Sequence, residues 1–532
     1  MPSTPTTKSQ VQAYQFVLRR MQSALVRKDA VMLHDPMRTH SRATIVGVVL
    51  SAIAMLGFII FGFFKPAPKA PDSGIVIGEQ SGSIYVVAGN PRKLIPTFNL
   101  ASARLILMAQ QQENAEGGQG GQQAAQQAQV PPTTVVPDDQ LKDIPRGRLQ
   151  GIPDGPDLIP SKDQMIPPRW AVCDEVKIDS TLPESQQQAA SIRETTVFAG
   201  VDHLGRQLAA NEALLVTADD GQTYLIYRQA GQGNAVRAQV DMNDSAVTTA
   251  LNLQDTQVRK ISMGLLNAIP AVGELSVPDI ANLGESPSYN LSELTVGSVF
   301  QVQGAGDTGY YVVLDNGVQR IPQSLAQMIR FTEASTDEFP TIAPDHLNNV
   351  TILRPGQPGA VDVSQYPEVV PTVLTADTRP VSCLGWSVQG EGAERDARTA
   401  VYVNPQLPGP KDAQLVGIGE PSPDGWKVEH FYMRPGFAAA ARSATTRETF
   451  DKGSIQLISD RGVRYSIPNA ATATGLGLSV QDLQPAPEAI IKLLPTGASL
   501  NTQDAKRTFD GVRFDPSVGS FPDDTAAAAG GN

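Results

Sequence analysis

Cysteine is nearly absent from this chain: two in 532 residues, Cys173 and Cys383. No C-x-x-C pair exists, and His203, His346 and His430 lie far apart, so no metal-ligand spacing is present. Neither a metal nor a cofactor is expected. The hydrolase elbow G-x-S-x-G and the zincin motif H-E-x-x-H are missing, and dispersed histidines give little support for a triad. Also missing is the phosphate-cradling G-x-x-x-x-G-K-[ST]. The nearest string, Gly419–Lys427 (GEPSPDGWK), has one residue too many before Gly425 and places Trp426 where the lysine must stand. A G-x-G-x-x-G occurs at Gly304, Gly306 and Gly309, but VFQVQ and YYVVL flank it. A dinucleotide site needs a strand followed by a helix, so this one reads as a turn. The run YVVLD ending at Asp315 imitates a Walker B strand and then enters Asn-Gly, which is hairpin chemistry. Acidic pairs such as Asp219/Asp220 carry the two carboxylates that glycoside hydrolysis needs, yet at this composition they read as turn residues.

Basic charge is also short. The chain carries a formal −12, and what basic excess exists is concentrated at the N-terminus. Lys8, Arg19, Arg20, Arg27, Lys28, Arg38 and Arg42 stand against Asp29 and Asp35, a formal +5 that leaves −17 for everything after residue 43. An acidic body of that kind argues against nucleic acid as its partner, which would need a basic surface.

Long hydrophobic runs are absent except for one. Thr44–Phe64 (TIVGVVLSAIAMLGFIIFGFF) is 21 residues without a charge. At 1.5 Å per residue this crosses a hydrocarbon core of roughly 30 Å. The 43 residues before it are too long for a signal n-region and no A-x-A site follows it, so it reads as a permanent single span. Only Lys65 and Lys69 follow closely. The Lys/Arg excess therefore predicts a cytoplasmic N-terminus and an extracytoplasmic body at the inner membrane. Both cysteines fall on that outer side, where a lone pair is expected as a disulfide in preference to two free thiols. Closing a loop of 210 positions is worth on the order of 4–5 kcal/mol in the chain-entropy model. Trp170 and Trp386 each stand three residues from a cysteine, which suggests an aromatic cover over the bridge.

The segment before the span has helical periodicity. Tyr14, Val17, Leu18, Met21 and Leu25 form one apolar stripe, with Arg19, Arg20, Arg27 and Lys28 mostly outside it. Such a basic amphipathic helix suits either a partner helix or an anionic lipid surface. Partner docking is the favoured reading, since the outer region alone has no route to a cytoplasmic motor.

Beyond the span the texture is strand and turn. Gln110–Val136 is rich in Gln, Gly and Ala and reads as a flexible insertion. Thr332–Pro344 reads as a linker and the tail from Phe514 as disordered. A pattern recurs in between: SIYVVAGNPRKLIP at Ser83–Pro96, GYYVVLDNGVQRIP at Gly309–Pro322, SIQLISDRGVRYSIP at Ser454–Pro468, and a looser LLVTADDGQTYLIY at Leu214–Tyr227. Each is a β-run, a tight turn and a second β-run; in three of them Ile-Pro and a short helix-like stretch follow. Gly221, Gly317 and Gly462 are expected to supply the positive φ of the turns, and the proline is expected to stop the ladder. The spacing is irregular, so the pattern is no solenoid.

These residues together resemble a known family. The stretch Val11–Ala43 leading into the span, NLASARLIL (Asn99–Leu107), PRGRLQGIPDGPDLIP (Pro145–Pro160), WAVCD (Trp170–Asp174) and YYVVLDNG (Tyr310–Gly317) resemble EccB, the single-span core component of type VII (ESX) secretion systems. The likeness is densest over 8–107, 145–175 and 297–330. It departs at the Gln/Gly-rich insertion and over about 336–440. The resemblance implies a structural and assembly subunit working with EccC-, EccD- and EccE-like membrane subunits. It further implies association with a mycosin-type protease, self-association, and support for export of small helical-hairpin substrates. It implies an elongated β-rich (α+β) outer region of about four small repeats around a central domain, bridged between Cys173 and Cys383. Members sometimes carry the label ATPase, so an enzyme within the complex, or a wall-binding receptor, is the alternative. The expected divisions are 1–43 cytoplasmic helix, 44–64 span, 65–107 juxtamembrane segment and first repeat, and 108–136 insertion. There follow 137–194 with Cys173, 195–255 second repeat, 256–335 connection and third repeat, 336–440 central region with Cys383, 441–513 fourth repeat, and 514–532 tail.

Overall fold

The computed structural model describes residues 7–28, 36–64, 69–116, 132–229, 233–291, 294–304, 308–333, 338–422 and 425–509. Two units separate by internal packing, Met1–Lys69 and Ala70–Asn532.

Among the described residues the first unit contributes helices Lys8–Arg27 and Pro36–Phe64. Gln10 accepts the Thr7 N–H at 3.0 Å at the start of the first helix. Lys28 ends it in the left-handed region with φ 56°, its N–H donating to the Ala24 carbonyl. The second helix begins eight residues before the expected span, with Pro36 at its first position, where no N–H is needed. Its apolar part, Ser41–Gly62, is long enough to cross a membrane and is not buried in protein.

Among its described residues the second unit holds five sheets. Four share one wiring. In the first, Gly74–Gly78, Ile84–Ala88 and Lys93–Thr97 form an antiparallel meander, helix Leu100–Glu116 follows, and Thr133–Val136 returns parallel to the opening strand. A later segment runs parallel to the third strand, through Arg146 on Leu94 and Gln150 on Thr97. In the second sheet the same positions are filled by Glu212–Thr217, Thr223–Arg228, Ala235–Gln239, helix Ser245–Ala250, Arg259–Lys260 and Ala271. The third uses Val299–Gln303, Thr308–Leu314, Gly317–Ile321, helix Gln323–Glu333, Thr341 and Ile352–Leu353. The fourth uses Ala439–Ala444, Ile455–Ile458, Arg464–Ile467, helix Ala470–Gly475, Gln484–Pro487 and Thr496.

The central sheet runs Asp396–Asn404, Val381–Gln389, Arg169–Lys177, Ile192–Ala199, His430–Tyr432, Val416–Gly417. One apolar core joins it to the second and fourth sheets through Val172, Leu214 and Ala441. A second core joins the second and third sheets, and a third joins the first and fourth. The last described strand returns to the first sheet. Thr508–Phe509 pairs antiparallel with Leu149–Gln150 in the first sheet, and the Phe509 ring meets Phe98 at 5.3 Å.

Several expected divisions cut through these elements. The boundary at 107/108 falls inside helix Leu100–Glu116, and Thr133–Val136, placed in the insertion, is a strand with Val136 fully buried. Residues 117–131 lie outside the described residues. The boundaries at 194/195 and 440/441 each split a strand, because sheet membership is set by pairing between distant segments that composition does not register. Thr341, expected in a linker, bridges to Gln301, and 334–337 are outside the described residues, as is the tail from 510. Pro96 does not end its ladder: it sits opposite Tyr85 inside Lys93–Thr97.

Candidate assembly and envelope-facing sites

The first candidate site is the amphipathic helix. On Lys8–Arg27 the predicted residues Tyr14, Val17, Leu18, Met21 and Leu25 are all exposed, from 41% for Leu18 to 80% for Leu25. Val11, also exposed, extends the stripe by one turn and was readable as the i−3 neighbour of Tyr14. Arg19 and Arg20 lie on other faces of the same helix. Among the described residues of its own unit the stripe remains exposed along its length.

The second is the disulfide sheet. Cys173 and Cys383 are directly opposite in neighbouring antiparallel strands and are bonded, both fully buried. They pack with Ala171, Phe198, Val381 and Tyr432. The tryptophans are not their cover. Side chains alternate across a strand, so a residue three positions away points to the opposite face. Trp170 and Trp386 pair with each other in register and join the core on the other side.

On that same core-facing side Asp174 is fully buried. It accepts hydrogen bonds from the Ser262 N–H and hydroxyl and from the Thr195 hydroxyl. Burial outweighs these bonds and pushes its carboxyl above the usual range. Nearby Arg259 donates to the carbonyls of Arg379 and Pro380, and burial lowers its guanidinium to about 10, so it remains a cation at neutral pH. Ser262 in turn caps helix Met263–Ala268. This network fastens the central sheet to the second one.

The turn glycines divide. Gly221 and Gly462 have φ of 77° and 79° and close hairpins by donating to the Ala218 and Ser459 carbonyls. Gly317 is not at positive φ. A Cβ there would stand against the Thr351 carbonyl, so it is glycine because a parallel segment crosses close to it.

The motifs with a catalytic look resolve into local structure. Asp219 pairs with Arg193, and Asp220 accepts from the Gln222 N–H and the Tyr224 hydroxyl. The Asp315 carbonyl accepts from the Ser288 N–H. Gly304 and Gly309 lie at or beside the ends of two paired antiparallel strands, with Gly306 outside the described residues. In Gly419–Lys427, residues 423–424 are outside the described residues, and the Gly425 N–H is taken by the Ser422 carbonyl. Among the described residues no three His, Cys, Asp or Glu side chains converge for a metal.

A family profile described as "Type VII secretion system ESX-1, transport TM domain B" matches residues 3–514. The chain belongs to the EccB family of type VII secretion proteins. It is 31% identical over 514 residues to the ESX-1 secretion system ATPase EccB1 of Mycolicibacterium smegmatis (strain MKD8), covering 96% of this chain and 97% of that protein. It is 29% identical over 527 residues to the ESX-3 secretion system ATPase EccB3 of Mycolicibacterium smegmatis (strain ATCC 700084 / mc(2)155), covering 96% and 92%. Among solved structures, a chain of the intact ESX-5 inner membrane complex (composite C3 model) matches with TM-score 0.66 and 25% identity over 98% of this chain and 99% of that one. A chain of the EccB3 dimer from the ESX-3 core complex matches with TM-score 0.65 and 27% identity, covering 82% and 100%.

Proposed function

We propose that this chain is an assembly subunit of a type VII secretion complex of the inner membrane, with its N-terminus cytoplasmic and its body outside. The observation that carries the reading is the end-to-end match to EccB proteins, two of them from ESX inner-membrane and core complexes. The exposed stripe of Lys8–Arg27, joined to one membrane-length helix, supports a docking role on the cytoplasmic side. The partners it implies are EccC-, EccD- and EccE-like subunits, a mycosin-type protease outside, and further copies of this chain. We read the four small sheets, with their common wiring, as copies of one module around the central sheet, and the system's cargo as small helical hairpins.

The test is purification of the tagged full-length chain from its host in mild detergent, with identification of what accompanies it. An FtsK/SpoIIIE-type ATPase and a multi-span subunit in a megadalton-class particle are expected; the chain emerging alone sinks the proposal. The names of the relatives raise ATP hydrolysis as a second reading. It is tested by assaying the full-length chain freed of other subunits, where turnover abolished by a substitution in this chain would establish it.

A further inference from the structure

The central sheet has a second face that the assembly reading leaves unused. Beyond the disulfide, three rows of side chains cross the strands in register on the same side as the cysteines. The row next to Cys173–Cys383 is Ala171, Gly385 and Ala400. The row after it is Arg169, Ser387 and Arg398, and the last is Gln389 opposite Asp396. Alternation places all of them on one face. The result is a floor of small side chains with a guanidinium on either flank, their Cα atoms two strand spacings, roughly 10 Å, apart.

A cleft of about 1030 Å³ at this end of the sheet is lined by Gly385, Ser387 and Arg398 of this floor together with Trp170, Trp386 and Arg228. That volume is at the upper end for a small-molecule site and suits a segment of polymer. Leu204 covers Gly385 and Tyr402, half-buried, lies beside it as an aromatic edge; a Cβ at Gly385 would meet the Leu204 side chain first and the Tyr402 ring at 2.8 Å.

The charges are arranged unevenly. Arg169 pairs with Asp202. Asp396 is turned onto its own strand, accepting the Ala397 N–H at 2.9 Å. Arg398 is exposed and has no ion-pair partner among the described residues. Of the three guanidiniums that line the cleft, Arg169 is engaged by Asp202 and Arg228 by the Gly233 carbonyl, which leaves Arg398 open on a body whose formal charge is strongly negative. A planar fork of donors left unpaired in such a place suits a carboxylate, which it binds bidentately.

Peptide capture by strand addition does not fit this edge. Several outward groups of Asp396–Asn404 are already used: Ala397 N–H by Asp396, the Val401 carbonyl by the Leu208 N–H, and Val403 N–H by the Arg206 carbonyl, which leaves no continuous edge for a further strand. The floor also lacks apolar pockets for alternate side chains, on which that mode depends. Hydroxyl-rich ligands find what they need in Ser387, Gln389 and Gln207.

We propose that this cleft binds an extended carboxylate-bearing polysaccharide of the cell envelope, with Arg398 as the principal contact to its acid groups. The proposal rests on the body facing outward, but not on complex membership. Full-length chain in detergent micelles is titrated with oligogalacturonate, with neutral dextran oligosaccharide and poly-glutamate as comparison probes. The expected result is saturable, salt-sensitive binding of oligogalacturonate only, weakened roughly tenfold in Arg398→Gln, the loss of about one charge-assisted hydrogen bond. Retained disulfide and unchanged co-purifying subunits in Arg398→Gln would separate this loss from failure to fold or to assemble. No binding by the parent chain, equal binding by Arg398→Gln, or equal binding of poly-glutamate each overturns the proposal.

Discussion

Helix Lys8–Arg27 and helix Gln323–Glu333 carry the same kind of pattern and meet opposite fates. In the second, Leu325, Ala326 and Met328 are fully buried, packed in one core with Val247 and Ala250 of helix Ser245–Ala250. In the first, Leu18 is 41% and Met21 58% exposed. Periodicity therefore makes a helix with a sticky face, but whether the chain itself supplies the cover is a separate matter. Where it does, the face contributes to stability; where it does not, the face is available to something else.

The comparison is broken most severely by placing charge on each face. Met328→Asp buries an unpaired carboxylate and should cost more than about 4 kcal/mol, enough to prevent the body from folding. Leu18→Asp with Met21→Asp should leave membrane insertion and body stability intact while abolishing complex assembly, seen as loss of co-purifying subunits. Normal assembly of that variant would remove the docking role.

Within the body, Cys383→Ser tests how far one bond over 210 positions adds to a core that is already packed. We expect about 2–4 kcal/mol less stability by denaturant titration, below the chain-entropy figure where the unfolded chain retains structure. The turn glycines sharpen the local side of the contrast. Gly317→Ala forces a methyl against the Thr351 backbone and should cost about 1–3 kcal/mol. Gly221→Ala, with open space but φ of 77°, should cost about 1 kcal/mol.

The smallest effect is a pH slope. Because burial raises the folded pKa of Asp174, the folded chain keeps that proton to higher pH than the unfolded chain, whose value lies near 3.9. Stability from this group is greatest below about pH 3.9 and is lost as pH rises through the raised value, then levels. Asp174→Asn, permanently neutral, should flatten that part of the profile; an unchanged slope would place its origin elsewhere.

The membrane-length helix and the helical character of the segment before it were legible because their information is local. The stripe from Tyr14 to Leu25 and the uncharged run from Thr44 are periodicities and lengths within single segments. The hairpins were legible for the same reason: Asp-Gly and Arg-Gly pairs fix a turn among four residues. The error over Trp170 and Trp386 was avoidable, since period-2 alternation in WAVCD and CLGW already puts them opposite the cysteines. Other misses had no local signal. Nothing in Thr133–Val136 says that it returns parallel to Gly74–Gly78, and the role of Gly317 depends on where Thr351 passes.

By itself the sequence determined a membrane-length apolar run, a helical apolar periodicity before it, a set of tight hairpins and one pair of cysteines. Those follow from hydrogen bonds and apolar spacing within a few turns of chain. Only the tertiary structure decided which strands became neighbours, which face of the central sheet holds the disulfide, and that Thr508–Phe509 completes a sheet begun at Gly74. Pairings across hundreds of residues are won by the total apolar surface they bury, and that sum exists only once distant segments have met.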